Sequence, residues 1–142
     1  MWHLMRYYAH FGHRDFILCL GYRGDMIREY FAGYREWLTN DFVLSDGGRK
    51  FELLSSDIED WRITFVDTGL HANIGERLMA VRKYVEGEDV FLANYSDGLS
   101  NIPLHAMIAR TLESKLVAMF ASVRPSQSFH YVRSGADGRV TG

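Results

Sequence analysis

The stretch "WRITFVDTGLHANIGERLMAVRKYV", residues 61–85, changes periodicity halfway along. Its first part is β-branched and aromatic through Ile63, Thr64, Phe65 and Val66, the composition of a strand. Its second part places Leu78, Val81, Arg82 and Val85 at near-helical intervals. A strand feeding a helix through a glycine-bearing turn is the repeating half of a parallel α/β sheet. The neighbours continue that alternation in both directions. Upstream, "WHLMRYYAHFG" (2–12) spaces Leu4, Met5, Tyr8 and Phe11 as a helix closed by Gly12, and "DFILCLGY" (15–22) is a continuously apolar strand of the kind buried on both faces. "MIREYFAGYREWL" (26–38) returns to helical spacing, with Ile27, Tyr30, Phe31, Tyr34 and Trp37 or Leu38 on one stripe. "DFVLS" (41–45) and "KFELLS" (50–55) read as a hairpin whose turn takes positive φ from Gly47 and Gly48. Downstream, "DVFLANYSDG" (89–98) is predicted as a strand and Pro103 opens a helix through "PLHAMIARTLES" (103–114). "KLVAMFASV" (115–123) is predicted as a further strand, and "SFHYVRSGADGRVTG" (128–142) as a strand, a "GADG" turn and the start of another strand. The reading is a doubly wound α/β chain, taken as one domain over residues 1–142 with no linker or low-complexity segment.

Composition bounds the function. With 47% hydrophobic and 24% charged residues the chain has the make-up of a globular protein, and a formal charge of −2 without any basic block argues against nucleic acid as a partner. A single cysteine, Cys19, cannot form an internal disulfide, which favours a reducing, cytoplasmic setting. No stretch approaches the roughly 18 apolar residues of a membrane span, and the amino-terminal residues lack the pattern of a secretory signal.

In α/β sheets ligands collect where strands end at their carboxyl termini. "YSDG" delivers Asp97 to such an end, followed by Gly98, which leaves the backbone approachable. A lone carboxylate there suits Mg²⁺, which takes one or two carboxylates and completes its shell with phosphates and water. The plainer reading is a turn, since Asp-Gly is a common turn dipeptide. "GYRG" (21–24) could turn helix amides and Arg23 toward an anion, or merely turn the chain, and it lacks both GxGxxG and the Walker lysine. Asp67 and Thr68 of "VDTG" could serve a pocket or cap the segment that follows, with capping favoured. The six histidines show no HExxH or Cys/His ligand spacing. The stripe Tyr30, Phe31, Tyr34 and Trp37 is core or interface material before it is a stacking platform. No nucleophilic triad is apparent, and Cys19 lies in an apolar run unsuited to a thiolate.

The segments "MWHLMRYYAHFG", "DFILCLGYRGDMIREYFAGY", "WRITFVDTGLHANIGERLMAVRKYV" and "FLANYSDGLSN" together resemble the sugar-phosphate nucleotidyltransferase family, and within it the bacterial glucose-1-phosphate cytidylyltransferases. The resemblance implies a three-layer α/β/α Rossmann-like nucleotidyltransferase sheet. It implies an enzyme of nucleotide-sugar and polysaccharide biosynthesis that joins a nucleoside triphosphate, CTP, to a sugar 1-phosphate, glucose 1-phosphate, and releases pyrophosphate. The aspartate of the family's "YGDG", a Mg²⁺ ligand, corresponds to Asp97, with Ser96 in place of the usual glycine. The arginine of its "TGGRL" corresponds to Arg77 of "IGERL", a nucleotide-binding position, while Ile74 and Glu76 replace threonine and glycine and affect contacts from the turn at Ala72 and Asn73. On its own residues Arg77 reads as a solvated helix residue beside Glu76. The resemblance thus implies nucleotide binding by Arg77, Ser96, Ala72, Asn73 and Gly98, and a catalytic, metal-holding Asp97. The family's GGxGTR loop, its first strand and its later carboxylate have no counterpart in these residues, so an incomplete sheet with an uncovered edge, and a chain inactive alone, are expected. Family members often assemble through exposed elements, which makes a homo-oligomer an expected partner state. The competing readings are a non-catalytic nucleotide-binding or interaction module, and a nucleotide-sugar glycosyltransferase, although the latter's Asp-x-Asp is missing from "SDGLS".

Overall fold

The computed structural model describes residues 1–123 and 132–141. They form two compact units, Met1–His105 and Ala106–Gly142. In the first, helix α1 (Trp2–His10) leads into strand β1 (Asp15–Leu20), helix α2 (Gly24–Ala32), strands β2 (Phe42–Ser45) and β3 (Lys50–Leu53), strand β4 (Arg62–Asp67) and helix α3 (Ile74–Val85). Helix α4 (Leu104–Ser114) begins at the end of this unit.

β1 and β4 pair in parallel, from Asp15 opposite Arg62 to Leu20 opposite Asp67. The connection between them contains α2, so the pair is a β-α-β crossover of the expected kind. Outside the ladder, Arg62 N–H donates to the Arg14 carbonyl at 2.9 Å and Thr68 N–H to the Leu20 carbonyl at 2.9 Å, which extends the pairing at both ends. An exposed Arg62–Asp15 ion pair of 2.7 Å marks the strand starts.

The core of this unit is small. Leu4, Met5 and Ala9 of α1, Leu20 of β1, Val81 of α3 and Leu104 are the buried apolar residues. α3 packs on β1, and Phe31 of α2 meets Phe65 of β4 with ring centroids 5.9 Å apart. The helical spacing of α1 does turn Leu4 and Met5 inward, and Gly12 takes φ 92° just past its end, as a helix-stopping glycine does. Phe11 sits edge-on to His105 at 4.9 Å, and the Tyr7 hydroxyl donates to the Ile102 carbonyl, so α1 is tied to the chain entering α4.

Four expectations are corrected. β1 is not buried on both faces: Phe16 to Cys19 are half-buried and Leu20 alone is buried, because a two-stranded sheet has too little surface to cover it. α2 stops at Ala32, where Gly33 ends the helix, and the rest of the aromatic stripe continues through a short 3-10 turn, Glu36–Leu38. Residues 89–98 form no strand, and neither do residues 115–123. Both runs are apolar enough for strands, but a strand exists by ladder hydrogen bonds, and among the described residues β1 and β4 pair only with each other.

The hairpin forms as expected. β2 and β3 are antiparallel, with Phe42 opposite Leu53 and Leu44 opposite Phe51, and the turn places Asp46, Gly47 and Gly48 at φ 53°, 61° and 89°. In the second unit the "GADG" turn is closed by an isolated bridge between Ser134 and Val140. The strand predicted from residue 128 falls mostly outside the described residues.

Candidate functional site

The carboxyl ends of β1 and β4 lie side by side, and Arg77 binds both. It stands in the first turn of α3, whose start is fixed by a capping box: Asn73 Oδ1 accepts from Glu76 N–H at 3.0 Å and Glu76 Oε2 accepts from Asn73 N–H at 2.7 Å. Glu76, where the family pattern has glycine, thus supplies half of the cap. With the helix start set, the half-buried Arg77 side chain reaches back across the strand exits. Its Nε donates to the Ala72 carbonyl at 3.0 Å, and its Nη1 donates to the Leu20 carbonyl at 3.2 Å and to Thr68 Oγ1 at 2.6 Å. Thr68 Oγ1 in turn donates to the same Leu20 carbonyl at 2.8 Å.

Arg77 is therefore not a solvated helix residue. Three of its donor contacts are made through Nε and Nη1, and Nη2 makes no hydrogen bond among the described residues. That nitrogen lies against Gly21: a Cβ added there would stand 2.8 Å from Nη2, 3.0 Å from Nη1 and 3.1 Å from the Gly69 carbonyl. Gly21 is thus a spacer that admits the guanidinium. After it the chain turns through Arg23, at φ 55°, into α2. Asp67 Oδ1 accepts from Gly69 N–H at 3.0 Å, so the capping reading holds for Asp67, while Thr68 anchors Arg77 instead. Sequence reading did not pair Gly21 and Thr68 with Arg77. The available signal was a small residue and a hydroxyl, each directly after an apolar strand.

Cys19, one residue from the strand end, is half-buried and unpaired. Burial pushes its thiol pKa up and the nearby Arg77 charge only partly offsets that, which agrees with an unreactive thiol.

The other expected site residues form a separate group. Ser96, Asp97 and Gly98 lie exposed in a turn closed by Gly98 N–H to the Tyr95 carbonyl at 3.3 Å and by Asn94 Nδ2 to the Gly98 carbonyl at 3.1 Å. The Asn94 side chain also interacts with the Tyr8 hydroxyl, whose pKa burial raises and Asn94 lowers in part. Asp97 makes no ion pair or hydrogen bond among the described residues, and no contact of that kind joins its turn to Arg77. No group of three or more His, Cys, Asp or Glu side chains that could hold a metal occurs among the described residues. Ala72 and Asn73 do accompany Arg77, but through the Ala72 carbonyl it binds and the Asn73 side chain that caps its helix.

A polar cleft of about 240 Å³ lies elsewhere, lined in part by Arg6, His10, Arg14, Ser56, Asp57 and Asp60. Its charges are internally matched, Arg6 with Asp57 and Arg14 with Asp60. Burial raises the Asp57 pKa, but hydrogen bonds from Thr39, Tyr34 and Asn40 and the Arg6 charge outweigh it and hold the carboxyl below its ordinary value. Glu36 completes this network by accepting from the Asp57 and Ile58 amides at 2.9 and 3.1 Å.

A parallel β-α-β pair with an arginine held across its strand exits defines an incomplete α/β, Rossmann-like unit. Among known proteins the chain is 38% identical over 109 residues to a probable glucose-1-phosphate cytidylyltransferase of Bacillus subtilis, covering 77% of this chain and 42% of that protein. It is 37% identical over 108 residues to the glucose-1-phosphate cytidylyltransferases of Salmonella typhimurium and Salmonella typhi, 76% of this chain and 42% of each relative. No protein-family model matches the chain. The resemblance to the glucose-1-phosphate cytidylyltransferases is thus borne out over about three quarters of the chain, which spans about two fifths of the length of the curated relatives it matches.

Proposed function

We propose that the chain carries part of the nucleotide site of an enzyme that joins CTP to glucose 1-phosphate in nucleotide-sugar and polysaccharide biosynthesis. In that reaction a phosphate oxygen of the sugar 1-phosphate attacks the α-phosphorus of CTP. The new P–O bond forms as the bridge to the β-phosphorus breaks and pyrophosphate leaves. The protein's work in such a transfer is positioning and charge stabilisation.

The observation that carries this reading is the half-engaged guanidinium of Arg77. Nε and Nη1 are fixed by Ala72, Leu20 and Thr68, so the fork is oriented before a ligand arrives, and Nη2 is left over the bare Gly21 backbone. A charged donor preset at the carboxyl ends of parallel strands suits an anionic or carbonyl acceptor of a nucleotide. Ser96 and Gly98 flank the Asp97 carboxylate on a small, exposed turn, the second part of the site. A single uncommitted carboxylate does not make a protein-only metal cage, but it fits Mg²⁺ that draws its other ligands from phosphates and water. Asp97 would hold that ion, which when bound neutralises phosphate charge. A reducing cytoplasmic location accords with the unpaired Cys19, and no helix among the described residues is long and apolar enough to cross a membrane.

Calorimetric titration with CTP, with and without MgCl₂, tests the proposal. The wild-type chain should bind CTP more tightly with Mg²⁺. Asp97→Asn should lose the Mg²⁺ dependence while unfolding at the same denaturant concentration, since its carboxylate holds nothing in the fold. Absence of binding at millimolar CTP, or binding indifferent to both Asp97→Asn and Mg²⁺, would leave the chain a module without this site.

A further inference from the structure

The hairpin β2–β3 separates its side chains cleanly. Its register puts Phe42, Leu44, Phe51 and Leu53 on one face and Val43, Ser45, Lys50 and Glu52 on the other. The apolar face is real packing material: Phe42 and Phe51 rings lie 4.9 Å apart, and Trp37 approaches Phe51 edge-on at 6.0 Å. Yet Trp37, Phe42, Leu44 and Phe51 remain 41–59% exposed. Neither strand has a second ladder partner among the described residues, and a two-stranded ribbon by itself is marginal in water.

The outer edge of β3 is complementary to itself. If two copies meet antiparallel about a two-fold axis through Phe51, residue numbers facing each other sum to a constant. Phe51 then faces Phe51 of the second copy, Lys50 faces its Glu52, and Glu52 faces its Lys50. Opposite charges meet twice on the polar face, and an aromatic pair meets on the apolar face, both favourable across a strand pair. The β2 edge, Phe42–Ser45, carries no charge and offers no such match.

The geometry points to β3 as a docking edge for a second copy of this chain, joined through Lys50, Phe51 and Glu52 into a four-stranded antiparallel sheet. The result supplies the third and fourth strands that make a small sheet stable and covers an edge that would otherwise invite uncontrolled pairing. The inference stands on the hairpin alone and is independent of the nucleotide site.

Charge exchange tests it. Within each hairpin Lys50 lies opposite Ser45 and Glu52 opposite Val43, so reversing either charge breaks no ion pair of the chain's own ladder. Light scattering and sedimentation should show a concentration-dependent dimer. Lys50→Glu and Glu52→Lys should each weaken it about tenfold or more, because both symmetry-related pairs turn repulsive. Mixing the two single variants should restore association, since the wholly acidic edge of one variant then faces the wholly basic edge of the other. The Lys50→Glu/Glu52→Lys double variant should also dimerise near the wild-type level. A wild-type chain monomeric at all concentrations overturns the proposal. So does a dimer indifferent to both reversals, which would mean stacked apolar faces, or a failure of the mixed variants to associate.

Discussion

Replacing Arg77 by alanine should destabilise the chain by about 2–3 kcal/mol. The side chain makes two hydrogen bonds at the strand exits and a third to the Ala72 carbonyl before α3, and bonds to a charged donor are worth roughly 1.5–3 kcal/mol each. The sum is an overestimate, because the Leu20 carbonyl keeps the Thr68 N–H at 2.9 Å and the Thr68 hydroxyl at 2.8 Å. The Ala72 carbonyl and Thr68 Oγ1 lose the donor they accept from, but water reaches this half-buried site and can replace it, so the lower range applies. Urea unfolding followed by tryptophan fluorescence is a suitable assay, since Trp2, Trp37 and Trp61 all lie in the same unit as Arg77. At an m-value of roughly 2 kcal/mol/M the midpoint should fall by about 1 M with the slope unchanged. Arg77→Lys should recover less than half of the loss, because one ammonium cannot reproduce a fork that holds the Ala72 carbonyl and Thr68 together. A solvated helix arginine would cost within about 0.5 kcal/mol on removal. A midpoint shift that small would refute the clamp.

Gly21→Ala should destabilise by about 1–3 kcal/mol by overpacking against Nη1, Nη2 and the Gly69 carbonyl. In a double-mutant cycle with Arg77→Ala its cost should shrink, and strict additivity of the two would contradict the contact. Asn73→Ala should cost about 1 kcal/mol through loss of the capping box, with Asn73→Asp retaining most of it, as read by thermal unfolding. Asp57, 8% exposed, has a folded pKa below its ordinary 3.8. Its stabilisation is therefore fully present above that value and is lost as pH falls through the lower folded one. Acid titration of Asp57→Asn should lack this component below about pH 4, and identical acid limbs for variant and wild type would count against it.

The order of elements from α1 to α3 was legible because each carries its own signal. α1 shows its apolar spacing and its Gly12 stop, α3 its Asn73 cap, and the hairpin its two glycines. Residues 89–98 and 115–123 misled because an apolar run says that a segment seeks burial, not that a neighbouring strand exists to pair with it. Likewise the placement of Asp97 at a strand end failed with that strand, and the plainer turn reading held, whereas the direction of the Arg77 side chain was not readable from its own surroundings.

By itself the sequence determined the succession of elements from α1 to α3, the parallel β-α-β crossover and the kinship with the cytidylyltransferases, since all three reside in short stretches of residue types. Tertiary structure alone decided that Arg77, ten residues beyond β4, closes back over Leu20 and Thr68 with Gly21 making room, because carbonyls, a hydroxyl and a missing Cβ from distant segments meet only after β1 and β4 have paired.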